Sequence, residues 1–187
     1  MLETTYLTNH FLIAMPNLVD PHFYHTVTYI CMHDNEGAMG IVINRPMGVN
    51  LGTLLDYMKI EVKDQSVIQL PVFEGGPVNR ERGFVIHQPV GEWDAMLTTD
   101  NTVGVTTSKD ILNAIAIGQG PQQAFIALGY AGWEAGQLER ELASNAWLST
   151  PADKQILFNT PPEKRWHAAA ANLGVDLALL SSQAGHG

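Results

Sequence analysis

The chain has 187 residues, of which 45% are hydrophobic and 16% are charged, a composition that suits one globular domain with a buried core. Its net charge of −9 argues against a general nucleic-acid binder and against an anionic membrane surface, because both are bound through clustered positive charge. A single cysteine, Cys31, excludes an intramolecular disulfide and a zinc site with several cysteine ligands.

The N-terminal part of the chain predicts β-strands. A short apolar run at 11–15 is closed by Pro16, and the segment 27–33 is apolar on both alternating faces, which predicts a strand covered on both sides. Turn residues at 34–37 separate this strand from a second buried strand at 40–44. We therefore expect an antiparallel hairpin here.

The middle of the chain continues mainly as strands. A short helix is predicted at 51–58, with Asn50 as its N-cap. Pro71 makes the strand around it an edge strand or an interrupted one. The predicted strands of this region are 67–73, 83–88, 95–98 and 103–106.

The C-terminal half alternates between helices and strands. Thr107 and Asp110 have the spacing of a capping box, which predicts a helix that ends before Gly118. A second such box at 150–153 predicts a single turn before a strand. The remaining predicted elements are strands at 123–128 and 155–158 and helices at 134–145, 160–174 and 175–180. The helix at 160–174 directs four side chains inward: Trp166, Ala169, Ala170 and Leu173.

These elements predict one α+β domain over residues 1–187, with strands first and helices packed against the sheet. The final segment, 181–187, is predicted to be a disordered tail. The N-terminus carries an acid where a signal peptide carries basic residues, and no apolar run approaches the roughly 18 residues that a transmembrane helix needs. We therefore expect a cytoplasmic protein.

The stretch GYAGWEAGQL, residues 129–138, raises the question of a ligand-binding loop. Its glycines follow a predicted strand and precede a predicted helix, but their spacing matches neither the dinucleotide fingerprint nor the phosphate loop. Glu134 in the first helical turn would repel a phosphate and would itself complement the helix dipole. With Glu134 as N-cap, Trp133 and Leu138 have hydrophobic-staple spacing, so we interpret the stretch as a structural turn.

The best candidate for a ligand-binding site lies at two strand ends, where loops commonly carry function. Asn44 and Arg45 follow one strand, and Arg45 could bind a carboxylate or a phosphate. Gly75 and Gly76 follow another strand and would let backbone N–H groups approach a ligand, and His87 ends a third. The alternative is a pair of tight turns in which Arg45 contacts an acid.

Other reactive side chains have simpler interpretations. His22 and His25 are spaced H-x-x-H without a third metal ligand in view, so no metal site is predicted. His33 lacks a neighbouring acid and nucleophile, and Cys31 is interpreted as a small buried hydrophobic residue. Four tryptophans are interpreted as core or interface residues rather than as a stacking platform: Trp93, Trp133, Trp147 and Trp166.

A set of motifs resembles the AlgH-like (YqgE-type) family of bacterial proteins over residues 6–180. In chain order these motifs are FLIAMP, GIVINRP, EGGPV, TTSKDIL, LGYAGWEAGQLEREL, AWL and RWHAAAANLGVD. The resemblance implies a compact α+β fold whose mostly antiparallel, bifurcated sheet curls into a pseudo-barrel. It implies a regulatory association with exopolysaccharide synthesis, and it supplies no catalytic residues.

Three hypotheses about function follow. The first is a non-enzymatic binding protein with a regulatory role, which acts through a protein partner or a small anionic ligand. The second is an enzyme with a site around Asn44, Arg45, Gly75, Gly76 and His87, which requires these groups to converge in a pocket. The third is a transcriptional regulator that contacts DNA directly, which the net charge disfavours. No catalytic residue, metal or cofactor is predicted, and the oligomeric state stays open.

Overall fold

A computed structural model describes residues 5–100 and 102–184 of the chain. Most of its strands carry the alternating or continuous apolar patterns that the sequence shows and have buried side chains, as β1 and β2 do, whereas the fourth strand is exposed. In chain order the strands are β1 (His10–Ala14), β2 (Val27–Asp34), β3 (Gly37–Val42), β4 (Pro46–Asn50), β5 (Pro71–Glu74), β6 (Val78–Gln88), β7 (Met96–Thr98), β8 (Gly104–Thr106), β9 (Gln123–Glu134) and β10 (Trp147–Pro151).

Within the described residues, six short α-helices pack around these strands. They are α1 (Leu51–Tyr57), α2 (Lys109–Ala116), α3 (Gln137–Ala143), α4 (Lys154–Phe158), α5 (Arg165–Ala171) and α6 (Leu177–Ala184). The predicted N-cap of α1 is confirmed, because Asn50 Oδ1 accepts a 2.9 Å hydrogen bond from the backbone N–H of Thr53. In the part of the chain that the structure describes, we find no helix long and apolar enough to cross a bilayer.

The strands form one mostly antiparallel sheet in the order β10-β1-β2-β3-β9-β6-β8-β7. β9 also pairs in parallel with β5, and β5 pairs with β4. The predicted β2–β3 hairpin is confirmed. The fold is thus α+β, with a bifurcated sheet curled into a half-barrel, as the resemblance implies.

The sheet divides along one edge of β9. Residues 126–128 of β9 pair with β5, and from Ala131 onward the same edge pairs with β3. At this branch Gly75 donates to Leu128 O and accepts from the N–H of Val42, so it connects the two arms. A Cβ added to Gly75 would lie 2.3 Å from Gly129 O, and one added to Gly76 would lie 2.2 Å from the carbonyl carbon of Tyr130. The two glycines therefore allow the two arms to meet in close backbone contact.

Buried side chains form three clusters. The largest lies between the half-barrel and the helices α4 to α6, and it contains Tyr29, Phe73 and Trp166. A second cluster lies between the opposite face of β5, β6 and β9 and the helices α1 and α2. A third cluster packs α3 against β1, β2 and the C-terminal end of β9. β9 is therefore covered on both faces, as its position at the centre of the sheet requires.

The interpretation of GYAGWEAGQL as a turn is right for Ala135 and Gly136 and wrong for residues 129–134. Residues 129–134 continue β9, with Ala131 and Trp133 buried and Gly132 and Glu134 exposed, a period of two that identifies a strand. The helix begins only at Gln137, after Gly136 with φ +77°, so Glu134 is not its N-cap. The glycines predicted the end of the strand, but Gly129 lies within β9 and allows close backbone contact at the sheet branch.

Several element boundaries also differ from the sequence expectation. The predicted strand at 155–158 is helix α4, because Asp153 accepts hydrogen bonds from the N–H groups of Gln155 and Ile156. The strand predicted from residue 67 begins only at Pro71. At the start of α2 the N-cap is Ser108, whose hydroxyl accepts from the N–H of Ala95. α6 extends four residues into the predicted tail, and the last three residues of that tail lie outside the described chain.

Candidate functional site

Asn44 and Arg45, two of the five predicted ligand-binding residues, hold a surface turn. The Asn44 side chain accepts from the N–H of Val27 and donates to His25 O. Arg45 donates from Nη1 to His22 O at 2.7 Å and from Nη2 to Tyr24 O at 2.9 Å. The expected alternative, an Arg45–acid contact, is not among the ion pairs of the described residues. These hydrogen bonds give the two side chains a structural role.

Of the other three predicted residues, Gly75 lies beside the strand end that carries Asn44 and Arg45, because it accepts from the N–H of Val42 and the N–H of Glu74 donates to Arg45 O. Gly75 and Gly76 are buried at the sheet branch, and His87 is fully buried. His87 Nδ1 lies 3.1 Å from Pro89 O, so it carries the proton and donates, and Nε2 accepts from the Thr106 hydroxyl at 2.7 Å. Burial lowers the pKa of this imidazole below its ordinary value. The enzyme hypothesis requires these five residues to converge in one pocket, and they do not.

Three other reactive side chains, those of His33, Cys31 and His25, are also buried or in contact with neighbouring groups of the fold. His33 Nδ1 accepts from the N–H of Leu7, and its Nε2 contacts Glu139. Burial raises the pKa of the Cys31 thiol to about 12, which keeps it protonated. His25 stacks on Trp166 with ring centroids 3.8 Å apart. Among the described residues, no group of three metal-ligating side chains is present.

A cavity of about 460 Å³ lies where the first two buried clusters meet. This volume is within the roughly 300–1,000 Å³ range of small-molecule pockets. Its walls come from the start of α1, the segment between α1 and β5, the start of β5, α2 and the loop after it, the first half of β9, the end of α4 and the segment that leads into α5. The residues that line it are Leu51, Asp64, Ser66, Val67, Leu70, Pro71, Phe73, Leu112, Ile115, Gly118, Gly120, Pro121, Gln122, Gln123, Ala124, Phe125, Ile126, Phe158, Pro162 and Arg165.

Arg165, the first residue of α5, is the cation of this cavity. Its side chain is buried, with only 5% of the residue exposed. Nε donates to Thr160 O at 2.9 Å, and Nη1 donates to Ile43 O. The guanidinium carbon lies 5.2 Å from the ring centre of Phe73 and 5.7 Å from that of Phe125. The side chain is therefore fixed by two backbone carbonyls and by two aromatic faces.

The guanidinium of Arg165 has no carboxylate partner among the ion pairs of the described residues. Burial lowers its pKa to about 10, so it remains charged at neutral pH. Of its five N–H groups, two meet an acceptor within the described chain, and Nη2 meets none. Nη2 is not one of the fully enclosed unpartnered atoms of the described chain, and Arg165 is one of the residues that line the cavity. Buried charges are ordinarily paired, so the arrangement favours an external anion.

Sequence reasoning missed Arg165, although one signal was present. Trp166, Ala169 and Ala170 lie on the inward face of this helix as predicted, whereas Leu173 is 40% exposed, and Arg165 lies one turn before Ala169 on the buried face. An arginine on a buried stripe requires a partner, and the sequence offers none nearby apart from Glu163, which is exposed. The cavity itself was not predictable, because its walls come from parts of the chain that lie far apart in sequence, from Leu51 to Arg165.

Comparison with known proteins gives consistent matches. The family model described as AlgH-like matches residues 11–178. A UPF0301 protein of Thioalkalivibrio sulfidiphilus is 57% identical over 186 residues, and one of Nitrosococcus oceani is 56% identical; each alignment covers 100% of both chains. The solution structure of AlgH from Pseudomonas aeruginosa has a TM-score of 0.80 at 50% identity and covers 100% of this chain and 99% of its own. A Corynebacterium diphtheriae protein at 19% identity, with a TM-score of 0.71 and coverage of 97% and 94%, shares the fold.

Proposed function

The chain belongs to the AlgH-like family, and from that premise we propose that it is a non-enzymatic binding protein that holds a small anionic ligand at Arg165. One observation carries the proposal: a buried guanidinium faces a cavity of about 460 Å³ without a carboxylate partner in the described chain. An anion in that cavity would replace the solvation that burial removes, and guanidinium binds carboxylate and phosphate oxygens in a fixed geometry.

The lining of the cavity supports binding rather than catalysis. Among its residues, the titratable side chains are Asp64 and Arg165. The one hydroxyl-bearing side chain, Ser66, donates to Asp64 Oδ1 at 2.6 Å, and no histidine stands beside it to take its proton. Nucleophilic or general acid–base chemistry needs such a pair within hydrogen-bonding reach. The cavity offers a charged anchor and apolar walls, which suit a binding site.

A regulatory role fits the way in which the site connects to the surface. Arg165 donates to Ile43 O, and the next two residues, Asn44 and Arg45, hold the turn that contains His25. His25 in turn stacks on Trp166, the neighbour of Arg165. We propose that the ligand-bound state is transmitted through these contacts to a protein partner in the cytoplasm. The net charge of −9 disfavours direct DNA binding, and a retardation assay at moderate salt should show none.

A thermal-shift screen at constant ionic strength tests the proposal with acetate, benzoate, phosphate and citrate as probes. An anion at about 100 times its Kd stabilises the folded state by about 2.7 kcal/mol, which corresponds to a rise in Tm of roughly 5–10 °C for a chain of this length. Arg165→Gln removes the cation and should abolish the rise.

Arg45→Gln is the matched control. Arg45, like Arg165, donates to two backbone carbonyls, but it does not line the cavity. The control should keep the anion-dependent rise in Tm. A screen in which no anion stabilises the wild-type chain, or in which both variants lose the rise equally, would contradict the proposed function.

A further inference from the structure

We infer that the ligand of this cavity is a singly charged carboxylate that carries an apolar body, and not a phosphate or another dianion. The inference rests on the proposed function, because it assumes that Arg165 is the anchor. It follows from three features of the cavity: the number of positive charges, a carboxylate in the wall, and a row of aromatic rings.

The lining of the cavity holds one cation and one carboxylate, so it offers a positively charged partner to one negative charge at most. Arg165 is the one basic side chain of the lining. Asp64 lines the same cavity, and its carboxylate accepts from the N–H of Ser66 at 3.0 Å and from the Ser66 hydroxyl at 2.6 Å. These hydrogen bonds hold the pKa of Asp64 below its ordinary value, so it is ionised at neutral pH. A dianion would carry one charge without a cationic partner in the lining, and the Asp64 carboxylate would repel it.

The free N–H groups of Arg165 can hold a carboxylate. Nε and one N–H of Nη1 are occupied by Thr160 O and Ile43 O. One N–H of Nη1 and both of Nη2 remain as donors for the oxygens of an anion. A carboxylate bound there neutralises the guanidinium with one ligand charge.

The walls next to the guanidinium are apolar. Phe73 and Phe125 lie with ring centroids 5.3 Å apart, and Phe125 and Phe158 with centroids 5.9 Å apart, so the three rings form a row that begins under Arg165. Leu112 and Ile115 of α2 also line the cavity. A small hydrophilic anion would leave this surface in contact with water, whereas an alkyl or aryl group would bury it.

Isothermal titration of the wild-type chain with a matched ligand series tests the inference. Each buried methylene should tighten binding about fourfold, so hexanoate should bind about fifteenfold more tightly than butanoate. Hexyl phosphate at a pH where it is a dianion should bind at least about tenfold more weakly than hexanoate, and hexan-1-ol should show no binding. 3-Phenylpropanoate in place of hexanoate distinguishes an aryl body from an alkyl one.

Asp64→Asn tests the selectivity without a change in the core. It should strengthen the binding of hexyl phosphate several-fold and change that of hexanoate about twofold or less. Asp20→Asn is the matched control, because Asp20 accepts from the N–H of His22 in the same local geometry but does not line the cavity. It should leave both affinities unchanged.

The outcomes separate this inference from the proposed function. If hexyl phosphate binds as tightly as hexanoate, or if chain length has no effect, while binding still depends on Arg165, the inference is overturned and the anion site stands. If no member of the series binds the wild-type chain, both the inference and the proposed function are overturned. Equal responses of Asp64→Asn and Asp20→Asn would remove Asp64 from the account of selectivity and so overturn that part of the inference.

Discussion

Replacement of Gly76 by alanine should destabilise the protein more than any surface glycine replacement, because Gly76 lies at the point where the sheet divides. Its φ is +155°, and a Cβ at this position would lie 2.2 Å from the carbonyl carbon of Tyr130 and 2.5 Å from the N of Ala131. These atoms belong to the backbone of the central strand β9, so they cannot yield as a flexible side chain would.

Two costs combine in Gly76→Ala. A backbone conformation that L-residues rarely adopt costs about 1–3 kcal/mol. The insertion of a methyl group into a packed interior costs about 1–3 kcal/mol more. The free energy of unfolding should therefore fall by about 2–6 kcal/mol, a large part of the roughly 5–15 kcal/mol that stabilises a domain.

Urea unfolding followed by tryptophan fluorescence measures this loss, provided that the m-value is unchanged. Gly48→Ala is the matched control: Gly48 has φ +83° in the exposed strand β4, and nothing lies within 4 Å of its added Cβ. It should lose only about 1–2 kcal/mol from backbone strain. Equal losses in the two variants would refute the argument that the sheet branch requires close backbone contact at Gly76.

Three further predictions concern groups outside the cavity. Glu141→Leu should lower the free energy of unfolding by about 2–4 kcal/mol in urea, because Glu141 Oε1 accepts from the indole N–H of both Trp133 and Trp147. Cys31, with a pKa raised to about 12 by burial, should resist a thiol reagent at pH 8 until urea unfolds the chain. His87 has a lowered pKa in the folded state, so the unfolded chain binds the extra proton and stability is lost as pH falls below about 6.5. His87→Gln should remove its share of that slope, at most about 1.4 kcal/mol per pH unit in urea titrations, and an unchanged slope would contradict the assignment.

The parts of the fold that sequence reasoning captured depend on local signals. The β2–β3 hairpin follows from two apolar runs around a turn, and Asn50 caps α1 through a neighbour three residues away. The prediction for residues 129–134 of GYAGWEAGQL was wrong because glycines are local turn signals. Gly129 is a glycine for another reason, its close contact with the backbone of Gly76, which is far away in the chain. Local patterns cannot reveal that a glycine serves a distant backbone.

The candidate site was hidden for the same reason. Arg45 drew attention as a strand-end cation, but it holds a turn. Arg165 looked like one helical residue among others, although its stripe on α5 is buried. Its acceptor Ile43 O is 122 residues away in sequence, and the lack of an ion-pair partner for Arg165 among the described residues becomes visible only once the fold is assembled. A buried charge without a partner is a property of the three-dimensional structure, not of a motif.

The most direct test of the anion site is the NMR signal of the Arg165 side chain. The Nε–H group of Arg165 is buried and bonded to Thr160 O, so it should give a slowly exchanging resonance, identified by its loss in Arg165→Lys. Titration with hexanoate should move this resonance in a saturable way and leave the Arg45 Nε–H signal in place. A titration that shifts other resonances to saturation while the Arg165 signal stays fixed would contradict the assignment of Arg165 as the anchor.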